Sequence, residues 1–254
     1  MPLNLRERFG PKEPDSRRML GQEFEFSPSN YPALRDFVVE RDELELLENP
    51  LAVTRGYVLA HGLEGVQLEL ALCLTGTAAA FDLLFHRLSS FQREPIAERV
   101  IDVAKTLNIG DAGVAWQWND REPDGVLGFV RHNVLAFMRG RFERLQAFAR
   151  ELDSDLSRRE TRTEYWDSAT PLLDSAARAG LATAAGGRLD LGTPMDADTT
   201  YFFVATGGAV NRDATRPGHF YYRAGLAKGD YSIVAYRVGK GLLPDRQTMP
   251  VRIS

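Results

Sequence analysis

The sequence predicts an α+β protein in which an antiparallel sheet is covered by helices on one face and is followed by a second, almost entirely β unit. Three observations support this. Alternating and helical hydrophobic patterns succeed one another in the order strand, strand, helix, helix, strands, helix through residue 157. The composition then becomes charged and afterwards rich in Gly and Ala near residue 157. From Arg188 onward, short strand-like segments alternate with turns.

The first two strands are predicted at "LAVTRGYVLAHG" and "GVQLELALCLT". In the second, leucine and valine recur at every other position from Val66 to Leu74, while Gln67 and Glu69 alternate with them. A turn at Gly62 to Gly65 makes the pair an antiparallel hairpin.

The spacing of apolar residues predicts four helices. The first helix begins at Ser29 or Asn30, with Leu34, Phe37 and Val38 on one face. The other three are "TGTAAAFDLLFHRLSSF", "PIAERVIDVAKTL" and "RFERLQAFARELDSDL", each with apolar residues three or four apart. The segments "GVAWQW" and "GVLGFVRHNVLAFMRG" between the last two supply two or three further strands.

These patterns divide the chain into a flexible leader at 1–19, an α+β domain at 20–157, and a linker with a β unit at 158–254. The leader has no apolar region and is no signal peptide. The uncharged apolar stretch from Leu70 to Phe81 is well short of the roughly 20 residues that a spanning helix needs, so no transmembrane segment is expected.

The charge balance argues against nucleic acid as a partner, because the formal net charge is −4. Cys73 is the single cysteine, which excludes an intramolecular disulfide and a cysteine-based zinc site. That fits a reducing cytosol and equally a bacterial extracytoplasmic protein without disulfides.

The segment "GHFYYRAG" is a strand with two different faces. Phe220 and Tyr222 are predicted to point to one side, and His219, Tyr221 and Arg223 to the other. The first pair is expected to pack in the core.

The following segment, "LAKGDY", places Leu226, Gly229 and Tyr231 as in a tyrosine corner, where the phenol bonds to the backbone upstream. The stretch from Thr199 to Arg237 resembles bacterial immunoglobulin-like domains of the invasin and intimin type, in a "TGG" turn, a G-x-aromatic strand, and a leucine, glycine and tyrosine before the next strand. The resemblance implies a surface or extracytoplasmic β-sandwich that acts as a spacer or adhesive module, and it carries no catalytic residues.

The first domain is similar to uncharacterised bacterial periplasmic and lipoprotein-type domains. The similarity lies in "LNIGDAGVAW", in the hairpin "GVLGFVRHNVLAFMRG" with its R-x-N-V, and in the helix that follows. No function follows from it.

The segment "DREPDG" has the acidic spacing of a calcium loop at Asp120, Glu122 and Asp124, but Arg131 stands where that loop requires a bidentate glutamate. A polar hairpin turn is the favoured interpretation. The four histidines form no H-x-H or H-x-x-x-H pair, and there is no G-x-S-x-G motif or phosphate-binding glycine loop. No catalytic residue, metal site or cofactor is therefore predicted.

Two sets of residues are candidates for ligand binding. Arg216, His219, Tyr221 and Arg223, with Arg212, can form a basic aromatic patch for an anionic sugar or a peptide. The alternative is that they are solvated outer positions of a sandwich. Trp116 and Trp118 lie on one face of a strand and form a sugar-stacking platform if exposed, or core if a helix covers them.

The leading hypothesis is a non-catalytic bacterial binding or presentation protein of the periplasm or cell surface, with a carbohydrate or protein partner held in the concavity of the first sheet. A cytoplasmic location remains open. One alternative is a polysaccharide-acting enzyme that uses Asp120 and Glu122 with an accessory sandwich. Another is a structural subunit that pairs through an exposed sandwich edge.

Overall fold

The computed structural model describes residues 5–10, 18–91, 99–117, 124–165, 167–174, 181–196 and 198–254. The chain divides into two compact units, the first ending at Glu164 and the second beginning at Tyr165. Residues 161 and 162 pair with residues 19 and 20, which is why the division falls after the composition change near residue 157.

The described residues of the first unit form one large sheet and three α-helices. Its elements in chain order are α1 (Leu5–Phe9), β1 (Met19–Leu20), a 3-10 turn (Pro28–Asn30), β2 (Val38–Glu48), β3 (Leu51–His61), β4 (Glu64–Cys73), α2 (Thr77–Phe91), β5 (Arg99–Asp102), a π-helical turn (Val103–Leu107), β6 (Ala112–Gln117), β7 (Asp124–Arg131), β8 (Val134–Arg141), α3 (Phe142–Ser157) and β9 (Thr161–Arg162). The sheet has the order β2-β3-β4-β8-β7-β6-β5 with every neighbouring pair antiparallel. The short strands β1 and β9 form a separate antiparallel pair.

The hairpin of β3 and β4 is confirmed. His61 pairs with Glu64, which leaves Gly62 and Leu63 as the loop, and Gly62 has a φ of +61°. Glycine adopts this left-handed conformation without steric cost, so the chain can reverse direction at Gly62. Helices α2 and α3 and strands β6, β7 and β8 also form where the sequence predicts them.

Two predicted helices are wrong. The segment after Ser29 forms only the short 3-10 turn and then β2, whose side chains are largely exposed. The segment before Leu107 forms β5 and the π-helical turn, and its first residues lie outside those described. Both contain β-branched residues that pair with an existing strand, and sheet pairing outweighs helical spacing in such segments.

The prediction that helices cover one face of the sheet is also wrong, because α2 and α3 pack on opposite faces. A Cβ at Gly128 of β7 would lie 2.7 Å from Leu84 of α2. A Cβ at Gly125, three residues away on the same strand, would lie 2.7 Å from Phe142 of α3. Residues separated by an odd number along a strand face opposite sides. The central strands are therefore buried on both faces, like the middle layer of a three-layer packing.

The turn between β7 and β8 connects several segments of the first unit. Arg131 pairs with Val134, so His132 and Asn133 form the loop, and both are buried. The side chain of Asn133 accepts a hydrogen bond from the Leu20 N–H at 2.7 Å and donates one to the Cys73 carbonyl at 2.7 Å. One amide thus satisfies buried backbone groups at β1 and at the end of β4.

The second unit is a β-sandwich made of two sheets. Its strands in chain order are β10 (Leu181–Thr183), β11 (Arg188–Gly192), β12 (Thr200–Ala205), β13 (Gly208–Arg212), β14 (Phe220–Ala224), β15 (Gly229–Val238) and β16 (Asp245–Ile253). One sheet has the order β10-β16-β15-β12, with β10 parallel to β16, and the other has the order β11-β14-β13.

The two sheets share one hydrophobic cluster, which includes Tyr222 from one sheet and Ile233 from the other. The predicted faces of β14 are confirmed, because Phe220 and Tyr222 are buried while Arg223 is exposed. The hydrogen bond predicted for Tyr231 is also present, since its hydroxyl donates to the Ala227 carbonyl at 3.2 Å.

Replacing Asn133 with alanine is expected to destabilise the first unit by about 2 to 4 kcal/mol. The Leu20 N–H loses its partner, which costs about 1 to 3 kcal/mol, and the Cys73 carbonyl loses one bond but still accepts from the Gly76 N–H, which costs about 1 kcal/mol more. Urea unfolding followed by fluorescence measures this as a lower midpoint.

The matched control is Asn30→Ala, which truncates an exposed asparagine of the same unit. Its effect should stay within about 0.5 kcal/mol. Equal midpoints for the two variants would contradict the role given to the Asn133 side chain.

Candidate functional site

A groove of about 250 Å³ crosses four strands of the large sheet, from β2 to β8. We call it the sheet groove, and it lies on the face that α2 covers farther along. Two registered rows of residues line it. One row is Arg41, Val58, Gln67 and Arg139, and the neighbouring row is Glu43, Gly56, Glu69 and Phe137.

Strand geometry fixes the dimensions of the sheet groove. Neighbouring strands lie about 4.8 Å apart, so a row across four strands is about 14 Å long. The two rows are separated by two residues along each strand, which is about 7 Å. The sheet groove is therefore an elongated trough rather than a deep pocket.

Gly56 forms the floor at the centre of the sheet groove. A Cβ built at this position meets no atom within 4 Å, so the space above it is open. Its neighbours in the row are Glu43 and Glu69, whose side chains form the sides. The missing side chain of one residue thus creates the depression.

The charged groups of the sheet groove are held by ion pairs. Glu69 accepts hydrogen bonds from Nε and Nη2 of Arg87, on α2, at 3.2 and 2.8 Å. Arg41 lies 3.6 Å from Glu43, and both are largely exposed. The hydrogen bonds from Arg87 hold the Glu69 carboxylate in one orientation, because a guanidinium presents its donors in a fixed planar geometry.

Trp116, one of the two tryptophans proposed as a platform, does not line the sheet groove. Trp116 is 3% exposed and packs in the cluster under α2, together with Leu84 and Val114. It lies in the same cross-strand row as Arg139, two strands farther on, where the helix covers the sheet. Trp116 is therefore part of the core, as the alternative interpretation expected. Trp118, Asp120 and Glu122 lie outside the described residues.

The structure does bring together three of the candidates in the second unit, but with acidic partners. Nη1 of Arg216 lies 2.7 Å from Asp190, and Nδ1 of His219 lies 3.9 Å from the same carboxylate. The ring of Tyr221 is covered by the guanidinium of Arg188, whose CZ atom is 3.8 Å from the ring centroid.

A second carboxylate, Asp213, neutralises this surface further. It accepts hydrogen bonds from Nε of Arg216 at 2.9 Å and from Thr215, and it also pairs with Arg188. The bonds from Thr215, followed by those from Arg216, hold the pKa of Asp213 well below its usual range. The backbone N–H of Gly192 and then Arg216 lower the pKa of Asp190 in the same way.

The predicted basic patch is therefore paired in part: Arg216 belongs to a network of ion pairs, while Arg212 and Arg223 stay exposed without an ion pair to any described residue. The acidic partners were missed because they belong to other segments. The sequence held a signal for Asp190. Arg188 and Asp190 in "RLDLG" are two residues apart and therefore share one face of a strand, and they pair with Arg223 and Tyr221 of the neighbouring strand.

A larger cleft of about 600 Å³ lies between α3 and the turn at Asn30. Its carboxylates already have partners within the chain. Asp155 accepts from the Tyr31 hydroxyl at 3.0 Å and from Arg159, and Glu151 accepts from the Ala33 N–H at 3.1 Å. These bonds attach the turn to the helix, and we assign the cleft that structural role.

Cys73 is fully buried, and it packs in the cluster under α2. Burial raises the pKa of its thiol to about 12. The thiol is thus neutral at physiological pH and serves as a small apolar side chain.

Of the described residues, no three or more His, Cys, Asp or Glu side chains are grouped so that they could hold a metal ion. None of the helices in the described ranges combines the length and apolar character required to cross a bilayer. No protein family, curated protein or solved structure matches the chain.

The stability of the first unit is expected to fall as the pH drops through 6.5, because of His132. Burial lowers the pKa of His132 below its ordinary value of 6.5, and neither ring nitrogen is hydrogen-bonded, although the Leu156 carbonyl lies beside the ring. The unfolded chain then binds a proton that the folded chain resists. The free energy of unfolding is therefore unaffected by His132 above pH 6.5, and it falls progressively as the pH drops from 6.5 toward the lower pKa of His132 in the folded state.

Urea unfolding at a series of pH values, for the wild type and His132→Asn, measures this contribution. Asparagine tolerates the positive φ of 56° at this position and does not titrate. The variant should lose less stability than the wild type on acidification. Parallel pH profiles would show that His132 does not contribute.

Proposed function

We propose that this protein is a non-catalytic binding protein whose ligand occupies the sheet groove of the first unit. The observation that carries the proposal is the open floor at Gly56, which lies in one of two neighbouring rows of mainly polar side chains and has Glu43 and Glu69 on either side. Concave sites with a few oriented polar side chains are the usual form of small-ligand sites.

The ion pairs of the sheet groove support binding rather than proton transfer. Glu69 and Arg87 orient each other, so their remaining donors and acceptors are held in place before a ligand arrives. Preorganised groups bind with a smaller entropy cost than mobile ones.

We further propose that the second unit is an immunoglobulin-like domain that presents the first. Its second, fifth and fourth strands form one sheet, and its third, sixth and seventh strands belong to the other, as in that fold. The bond from Tyr231 to Ala227 lies at the start of the sixth strand, where a tyrosine corner is found. The likeness of this region to invasin-type and intimin-type domains supports a bacterial periplasmic or cell-surface location.

Gly56→Val is expected to abolish ligand binding without destabilising the fold. Valine favours strands and meets no atom at Cβ, so the unfolding midpoint should stay the same or rise, while the side chain fills the floor of the sheet groove. A thermal-shift panel of oligosaccharides and short peptides measures binding. A ligand at about 100 times its Kd stabilises by about 2.7 kcal/mol, and this raises the wild-type midpoint by several degrees.

The matched control is Gly239→Val, because a Cβ there also meets nothing within 4 Å and the residue lies in the second unit. The control should respond to ligands as the wild type does. A ligand that shifts Gly56→Val as strongly as the wild type would place the binding site elsewhere.

The location is tested by expressing the natural gene in its own cells and fractionating them. We expect the protein in the periplasmic or surface fraction, separated from a cytoplasmic marker enzyme. Recovery only with the cytoplasmic marker would overturn the proposed location, although binding in the sheet groove would stand on its own test.

A further inference from the structure

We propose that the ligand of the sheet groove is a neutral oligosaccharide. This inference rests on the proposed binding function and adds the chemical class of the ligand. It follows from the charge balance of the lining, from its geometry and from its position on the face of a sheet.

The carboxylates that line the sheet groove are already neutralised by arginines. Arg41 and Arg139 stand in one row and Glu43 and Glu69 in the other; Nε of Arg41 lies 3.6 Å from Glu43, and Nη2 of Arg87 lies 2.8 Å from Glu69. A ligand with a net charge of either sign would therefore meet a like charge next to its favourable partner. The lining therefore disfavours both anions and cations relative to a neutral molecule.

A neutral ligand must still hydrogen-bond to both rows. The arginine row, with Gln67, supplies mainly donors, and the glutamate row supplies only acceptors. A hydroxyl group donates one hydrogen bond and accepts others, so a chain of hydroxyl-bearing rings can satisfy both rows along the whole trough.

The floor is suited to the C–H face of a sugar ring. Val58, Gly56 and the half-buried ring of Phe137 lie between the polar side chains. An aromatic ring contributes apolar contact area against such a face. The length of about 14 Å, open at the side, accommodates a short stretch of a longer polymer.

An extended peptide fits this position less well. Peptides usually add to a sheet at an edge, where backbone donors and acceptors are unpaired. At the sheet groove the backbone groups of β3 and β4 are paired in the sheet ladder, so only side chains remain for recognition. Planar guanidinium, carboxylate and amide groups bind neighbouring hydroxyls through two parallel hydrogen bonds.

The test uses pairs of oligosaccharides that share a backbone and differ in charge. The probes are N-acetylchitohexaose against its cationic deacetylated form, and methyl-esterified oligogalacturonate against its anionic free acid, together with neutral gluco- and xylo-hexaoses and a mixed peptide library. Isothermal titration calorimetry is performed on the full chain of the wild type, Gly56→Val and Gly239→Val.

We expect at least one neutral oligosaccharide to bind the wild type and Gly239→Val about tenfold more tightly than its charged counterpart and to bind Gly56→Val at least about tenfold more weakly. Glu69→Gln removes one negative charge from the lining and should narrow the preference for the esterified over the acidic galacturonate. The unfolding midpoint of each variant verifies that it is folded.

Three results would overturn the inference. They are tighter binding of a charged form, equal binding of the neutral sugars to Gly56→Val, and no binding of any neutral sugar to the wild type. If peptides bind the wild type but not Gly56→Val, the saccharide class is wrong and the sheet groove remains a binding site. If no probe binds the wild type more tightly than it binds Gly56→Val, the proposed function fails as well.

Discussion

The buried amide of Asn133 is the interaction on which the first unit depends. The Asn133 side chain, in a two-residue turn, bonds to backbone groups of β1 and β4. Arg131, the last residue of β7 before this turn, lies 2.7 Å from both Asp111 and Asp153. The same turn thus connects the start of β6 and the helix α3 to the sheet. Removing the amide would take the bond from the buried Leu20 N–H and one of two bonds from the Cys73 carbonyl, so the turn admits few alternative arrangements.

This anchor also sets the register that creates the sheet groove. Leu72 pairs with Val134 directly beside the bonds between Cys73 and Asn133. A slip of one residue would turn Phe137 and Arg139 to the opposite face, because strand side chains alternate with a period of two. The groups proposed to bind a ligand are therefore positioned by a hydrogen-bond network at the far end of the same strands.

The second unit illustrates how tertiary pairing changes the meaning of charged residues. Arg216 and His219 are predicted as part of an exposed basic patch, but Asp190 and Asp213 neutralise that surface. Electrostatic attraction for an anion is consequently weaker than the arginine count implies. The same reasoning applies in the first unit, where the side chain of Arg87, on α2, pairs with Glu69 in the sheet groove.

The sequence alone determined β3, β4, β7, β8, α2 and α3, because their hydrophobic periods and turn residues agree with the final packing. It also determined the inward face of β14 and the bond of Tyr231. Tertiary structure decided that β2 and β5 are strands and that helices cover both faces of the sheet, since these depend on which neighbours are available. It alone created the sheet groove, because Arg41 and Arg139 come to line one groove only when β8 aligns in register with the consecutive strands β2, β3 and β4.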